Sequence, residues 1–257
     1  MLMKSAYTGV AASLIDGKTT HTIASLLMSS DGNLSDESKA KLQKLWDHKH
    51  YLVINEYSMI AKTFLATLSR NISIGKEGSS SENPGYSFGG ISVILCGDLH
   101  QFPPVAKASQ DSLYRPINLA KDGIECQIGR AIYEEFTTVV ILKEQIRVTD
   151  PIWRDLLVHL RHGQVQEKHI CILCSLVLHR SQAKYPADFM SDQWASAPLV
   201  TPQHTVRKFW NEFASRKVCH TNGNQIFVCT AKDTIAGQEL TLPERYGVAM
   251  HSKTQGQ

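Results

Sequence analysis

Leu52-Val-Ile-Asn-Glu-Tyr-Ser-Met-Ile60 is the stretch whose reading decides the fold class. Tyr51–Ile54 is a continuous β-prone apolar run, as expected of a strand inside a parallel sheet. The run ends on Asn55 and Glu56. Strand ends of this kind face the crevice where open α/β sheets bind ligands. In a nucleotide motor the first polar position there holds Mg²⁺ through water, and the second orients or deprotonates the attacking water. A buried strand capped by a polar turn is the alternative, and this stretch alone leaves both open.

Working outward, a second apolar run, Ile91–Cys96, ends on Gly97-Asp-Leu-His-Gln-Phe-Pro-Pro-Val105. Gly97 permits a tight exit from the strand. Pro103 and Pro104 fix an extended segment that cannot rejoin a ladder. Gln101 would then project a neutral amide beside Glu56, suited to sensing a terminal phosphate. Two strand-end motifs weaken the bland reading of either one.

Between the two runs the spacing predicts a helix over 60–70, followed by a Gly/Ser-rich loop, 75–90. Upstream, Met1–Ala6 reads as the end of a buried strand, and helices are expected over 19–28 and 34–46. Downstream, Val139–Leu142 and Pro198–Pro202 are strand candidates. Residues 153–162, 170–178 and 206–217 show helical spacing, the second as a buried helix and the third with Phe209, Trp210 and Phe213 on one face. Apolar strands alternating with helices argue for a parallel α/β sheet. A domain boundary is expected near 140–150, with domains 1–145 and 146–257.

The 257 residues are long enough for one large domain or two modest ones. With 42% hydrophobic and 20% charged residues the composition is globular, not disordered. A net charge of +3 neither establishes nor excludes a nucleic-acid partner, because a local basic face matters more than the total. The six cysteines do not form a disulfide framework in a chain this size and read as reduced thiols, and no apolar run reaches the length of a membrane span. Nuclear or other intracellular residence is the expectation.

The paired strand-end motifs resemble the second and third motifs of the Pif-type (petite integration frequency) DNA helicases of superfamily 1, whose relatives include helicases of Helitron transposons. Phe88-Gly89-Gly90 is similar to the family's lead-in to the third motif. Ala6-Tyr-Thr-Gly-Val-Ala-Ala12, with Gly17-Lys-Thr-Thr-His21, is similar to the motif just after the phosphate loop. Leu142-Lys-Glu-Gln-Ile-Arg-Val-Thr-Asp150 resembles the segment that carries an arginine toward the nucleotide. Ala197–Pro202 with Trp210-Asn211 resembles the opening of the second motor domain.

The resemblance implies a RecA-like P-loop NTPase fold, incomplete, plus the start of a second RecA-like domain. It implies ATP and Mg²⁺ as ligands, with Asn55 and Glu56 toward the metal and the attacking water. Gln101 would read the terminal phosphate, and Arg147 would stabilise transferred charge. Thr8, Gly9 and His21 would lie near the DNA backbone. Partners would be single-stranded and duplex DNA, with repair, recombination and telomere maintenance as settings; the oligomeric state is open.

Departures accompany the matches. No G-x-x-x-x-G-K-[ST] phosphate loop occurs in the sequence, and the family would carry it just ahead of residue 1. Asn55 stands where the family has Asp, and Tyr7 where it has Pro. His251–Gln257 reads as a polar loop rather than a late helicase motif. The chain is therefore expected to be a fragment with impaired activity. A non-catalytic remnant that at most binds DNA is one alternative. A metal-dependent nuclease using Glu56, Asp98 and His100 is another. Cys171-x-x-Cys174 lacks a second ligand pair at finger spacing and reads as core. Trp153, Trp194 and Trp210 read as packing anchors, and Lys39, Lys41 and Lys44 as a solvated helix face.

Overall fold

The computed structural model describes residues 1–24, 35–77, 85–105, 111–177, 191, 194, 197–229, 234–235 and 237–247. The chain falls into two compact units, Met1–His169 and Ile170–Gln257.

The first unit is built on a four-stranded parallel sheet of β1 (Leu2–Ala6), β2 (Lys18–Thr19), β3 (Tyr51–Asn55) and β4 (Ser92–Cys96), in the order β2-β1-β3-β4. On β3 the burial alternates, as a pleat requires when one face is covered: Leu52 and Ile54 are fully buried, while Tyr51, Val53 and Asn55 are not. The helices are α1 (Gly9–Leu14), α2 (Thr20–Ala24), α3 (Asp36–Trp46), α4 (Lys62–Lys76), α5 (Ile124–Glu134) and α6 (Pro151–Arg161). Helix α4 makes the crossover from β3 to β4 that a parallel pair needs. Its buried Leu65, Leu68 and Ile72 recur at helical spacing, joining Leu42, Trp46, Leu52 and Ile54 in one core.

Two close approaches fix the helix layer. A Cβ on Gly129 of α5 would lie 1.9 Å from the Lys62 carbonyl oxygen of α4, so only glycine allows this crossing. Lys76, buried near the end of α4, donates from Nζ to the carbonyls of Lys49 at 3.2 Å and Trp46 at 3.5 Å, satisfying acceptors at the end of α3. On the outer face of α3, Lys39 and Lys41 pair with Asp36 and Glu37, the solvated face expected. Trp46 was not anticipated as a core anchor; it is fully buried.

Several expectations are corrected. The helix read as 60–70 runs to Lys76, because its buried face continues through Ile72 and Gly75 onto Trp46. Val139–Leu142 forms no strand and is exposed. A strand needs a neighbour to satisfy its backbone, and this run joins none: the outer edge of β4 stays unpaired among the described residues. Pro198–Pro202 is likewise irregular, its proline ends lacking ladder donors. Of the helix expected over 19–28, residues 20–24 are helical and 25–28 lie outside the described residues, as does most of the Gly/Ser loop (78–84).

The second unit contains most of α7 (Glu167–Ser175), α8 (His204–Asn222) and a short antiparallel pair, β5 (Thr234–Ile235) with β6 (Gln238–Glu239). The helix expected as buried over 170–178 is largely exposed, with only His169 buried. In α8 no residue is buried, and Phe209 is 71% exposed, so the aromatic face reads correctly as a helix but not as core. Trp194 and Trp210 are not buried anchors either, at 38% and 42% exposed. His251–Gln257 lies outside the described residues. No described helix is long and apolar enough to cross a membrane.

Candidate nucleotide and DNA edge

Parallel strands deliver their carboxyl ends to one edge of a sheet. The register pairs Ala6 with Asn55 and Asn55 with Cys96. Thr8, Asn55–Glu56 and Gly97–Gln101 therefore follow three adjacent strands at the same edge, with Glu56 and Gly97 each one residue past the pair.

Glu56 has a left-handed backbone, φ 60° and ψ 39°, and its carbonyl accepts from the Met59 amide at 3.2 Å to close a 3₁₀ turn over Tyr57–Met59. A non-glycine residue in that region costs ~1–2 kcal/mol. Such strain concentrates at functional positions. The half-buried Glu56 carboxylate takes part in no ion pair with a described residue. Tyr57 packs over the Gly97 exit, where an added Cβ would come within 2.8 Å of its ring. Burial and, next, the neighbouring Tyr133 push the Tyr57 phenol up to about 12.

The loop after β4 is organised by Asp98. One carboxylate oxygen accepts from the His100 amide at 2.9 Å and from Nη2 of Arg161 at 2.8 Å. The other accepts from Nη1 of Arg161 and, at 3.4 Å, from the Gln101 side-chain amide. The Gln101 backbone amide donates to the Asp98 carbonyl at 3.0 Å. The Arg161 guanidinium holds the Asp98 carboxyl down at about 2. His100 also meets the ring of His162 edge-on, centroids 6.0 Å apart. Gln101 thus sits exposed at the sheet edge on a loop clamped to the end of α6. Arg161 was not singled out from the sequence, where nothing near Gly97–Val105 points to it.

On the other side of Glu56, Thr8 caps α1 by accepting from the Ala11 amide at 3.3 Å. Gly9 stands in open space. His21 packs against Tyr7 and Phe64, ring centroids 5.0 and 4.8 Å away. Tyr7 in turn donates its amide to the Asn55 carbonyl at 3.4 Å. Thr8, Gly9, His21, Asn55, Glu56 and Gln101 therefore all follow strand ends at one edge of the sheet. Arg147 follows no strand of this sheet; it is exposed in the irregular segment ahead of α6.

A family model described as PIF1-like helicase matches residues 1–128, the stretch that carries this edge. The chain belongs to the PIF1-like helicase family. It is 30% identical over 166 residues to the ATP-dependent DNA helicase PIF1 of Xenopus laevis, a match covering 62% of this chain and 23% of that protein. It is 28% identical over 168 residues to the ATP-dependent DNA helicase RRM3 of Saccharomyces cerevisiae, covering 63% and 21%. The chain thus spans about a quarter of the length of the curated relatives it matches. Among solved structures it resembles a Bacteroides Pif1 helicase in complex with ADP-AlF3 and ssDNA, with a TM-score of 0.57 at 21% identity over 94% of this chain and 53% of that one. It also resembles the Candida albicans Pif1 helicase, with a TM-score of 0.56 at 24% identity over 97% and 50%. These likenesses show the fold of the PIF1-like chain: α/β with a parallel RecA-like sheet.

Proposed function

We propose that this chain is part of an ATP-dependent DNA helicase in which the Thr8–Asn55–Glu56–Gln101 edge faces Mg²⁺·ATP and single-stranded DNA. The observation that carries the reading is the delivery of Glu56 and the Asp98-clamped Gln101 to one sheet edge by adjacent parallel strands. The residues fit the hydrolytic side of a nucleotide. Glu56 offers a carboxylate in no ion pair with a described residue, Asn55 a neutral oxygen toward the metal's water shell, and Gln101 an amide held by Asp98. Bound Mg²⁺ would supply charge neutralisation for phosphoryl transfer. Glu56 orients the attacking water and accepts its proton. Gln101 donates to the terminal phosphate, and Arg147 reaches the nucleotide only if its segment folds onto the edge. Thr8, Gly9 and His21 meet the DNA backbone. Residues 146–257 would begin the second RecA-like domain. Nuclear residence and roles in repair, recombination and telomere maintenance belong to the same proposal.

A second reading, a member that binds DNA without efficient hydrolysis, is favoured by Asn55 in place of the family's Asp. The neutral amide forgoes a charge-assisted contact of about 1.5–3 kcal/mol. The nuclease reading loses support, because Asp98 is already engaged by Arg161.

Fluorescence anisotropy with a labelled oligothymidine tests the DNA side. The expected result is binding that weakens steeply with salt and tolerates any base sequence. His21→Ala should lower affinity several-fold. Salt-insensitive binding, or none, would count against the DNA edge; ATP hydrolysis stimulated by the same oligonucleotide separates the two readings.

A further inference from the structure

Away from the nucleotide edge, the turn from α6 into α7 gathers three side chains that the proposed function does not use. Asp155 and His159 lie one helical turn apart on α6, and His169 lies near the start of α7. One ligand atom from each lies within 4.8 Å of those of the other two. Asp155 Oδ2 is 2.9 Å from His169 Nε2, Asp155 Oδ1 is 3.3 Å from His159 Nδ1, and the two imidazole centroids are 4.6 Å apart. His169 is fully buried while Asp155 and His159 reach solvent, so the cluster has a fixed floor and an open mouth.

The geometry points to a binding site for a divalent transition metal of the zinc class, held by Asp155, His159 and His169. Two imidazoles and one carboxylate suit such ions rather than Mg²⁺ or Ca²⁺, which take mostly oxygen. Tetrahedral ligands at ~2.0–2.1 Å from zinc stand about 3.4 Å apart; Asp155 Oδ2 and His169 Nε2 at 2.9 Å, and the 4.8 Å limit over all three donors, are within a side-chain adjustment of that, and three protein ligands leave one position for water.

Present contacts define what the ion must displace. His169 Nδ1 accepts the Gln166 amide at 3.1 Å, so its proton sits on Nε2 and donates to Asp155. Metal capture at Nε2 moves that proton to Nδ1 and frees the Gln166 N–H, which is exposed and can be taken up by water. His159 Nδ1 donates to the Asp155 carbonyl at 2.8 Å, the kind of outer bond that orients a ligating imidazole. Lys168 Nζ, 2.7 Å from Asp155 Oδ2, is the competing cation. The cysteine pair that drew notice in the sequence is not needed. Because α6 ends in the arginine that clamps Asp98, a metal here would brace the helix that holds the Gln101 loop.

The test is titration of the untagged, metal-free 257-residue polypeptide with Co²⁺, read by visible absorption, with Zn²⁺ displacement as a check. The expected result is one equivalent showing d–d bands without a near-ultraviolet sulfur charge-transfer band. His159→Gln and Asp155→Asn should each weaken binding at least ~10-fold with the circular dichroism spectrum unchanged. Lys168→Met, by removing the competitor, should tighten it about threefold. The site is overturned by absence of such bands at millimolar cobalt, or by bands indifferent to His159→Gln and Asp155→Asn. Bands with sulfur character that vanish in Cys171→Ser/Cys174→Ser would overturn it equally, by placing the metal on thiols.

Discussion

Asp98 accepts from a guanidinium, a backbone amide and a carboxamide together, and its low pKa follows chiefly from Arg161. A carboxyl whose folded pKa lies below its unfolded value stabilises the fold above the unfolded value and loses that contribution as pH falls through the folded one. For Asp98 the window runs from about 3.8 down to about 2. Arg161 is 45% exposed. Solvent screening therefore limits the pair to about 1 kcal/mol. Arg161→Ala should lose that increment at neutral pH and show a flatter decline between pH 4 and pH 2 in urea unfolding; an unchanged acid limb would mean the pair contributes nothing. The Gly97–Val105 motif itself was legible, because an apolar strand, a glycine and two prolines are local signals. Its clamp was not: Arg161 lies 63 residues from Asp98, and a long-range ion pair leaves no periodic trace. Likewise the sequence presented Glu56 as an acid at a strand end but gave no sign of its left-handed backbone.

At the scale of elements, β3 and β4 were readable because each is a short β-prone run ending in a turn, and each found a parallel neighbour. Val139–Leu142 has the same composition and no ladder, although the outer edge of β4 is unpaired among the described residues, so an apolar run alone does not place a segment on a sheet. Helical spacing located α6, α7 and α8, yet burial in α7 and α8 was misjudged, since amphipathicity gives a face without giving what covers it. The α4–α5 crossing provides the sharpest mutational test. Gly→Ala in an exposed helix gains up to ~1 kcal/mol, whereas a Cβ at position 129 would collide with the Lys62 carbonyl backbone. Gly129→Ala should therefore destabilise by ~1–3 kcal/mol through overpacking. A neutral or stabilising result in chemical denaturation would mean that the helices do not approach so closely.

For the molecule as a whole, the nucleotide-facing assignment rests on the first unit, which contains the entire PIF1-like match. Thr8, Gly9, His21, Asn55, Glu56 and Gln101 follow strand ends at one edge of its sheet, because parallel topology delivers those ends together, whereas Arg147 lies in an irregular segment that follows no strand. The most direct measurement is a titration of isotope-labelled protein with Mg²⁺·ATP followed by backbone amide NMR shifts, which detects even millimolar binding. Amides of 55–57 and 97–101 should move together along one saturation curve, with Glu56→Gln altering both groups. Shifts confined to other surfaces, or none at saturating nucleotide, would contradict the motor assignment.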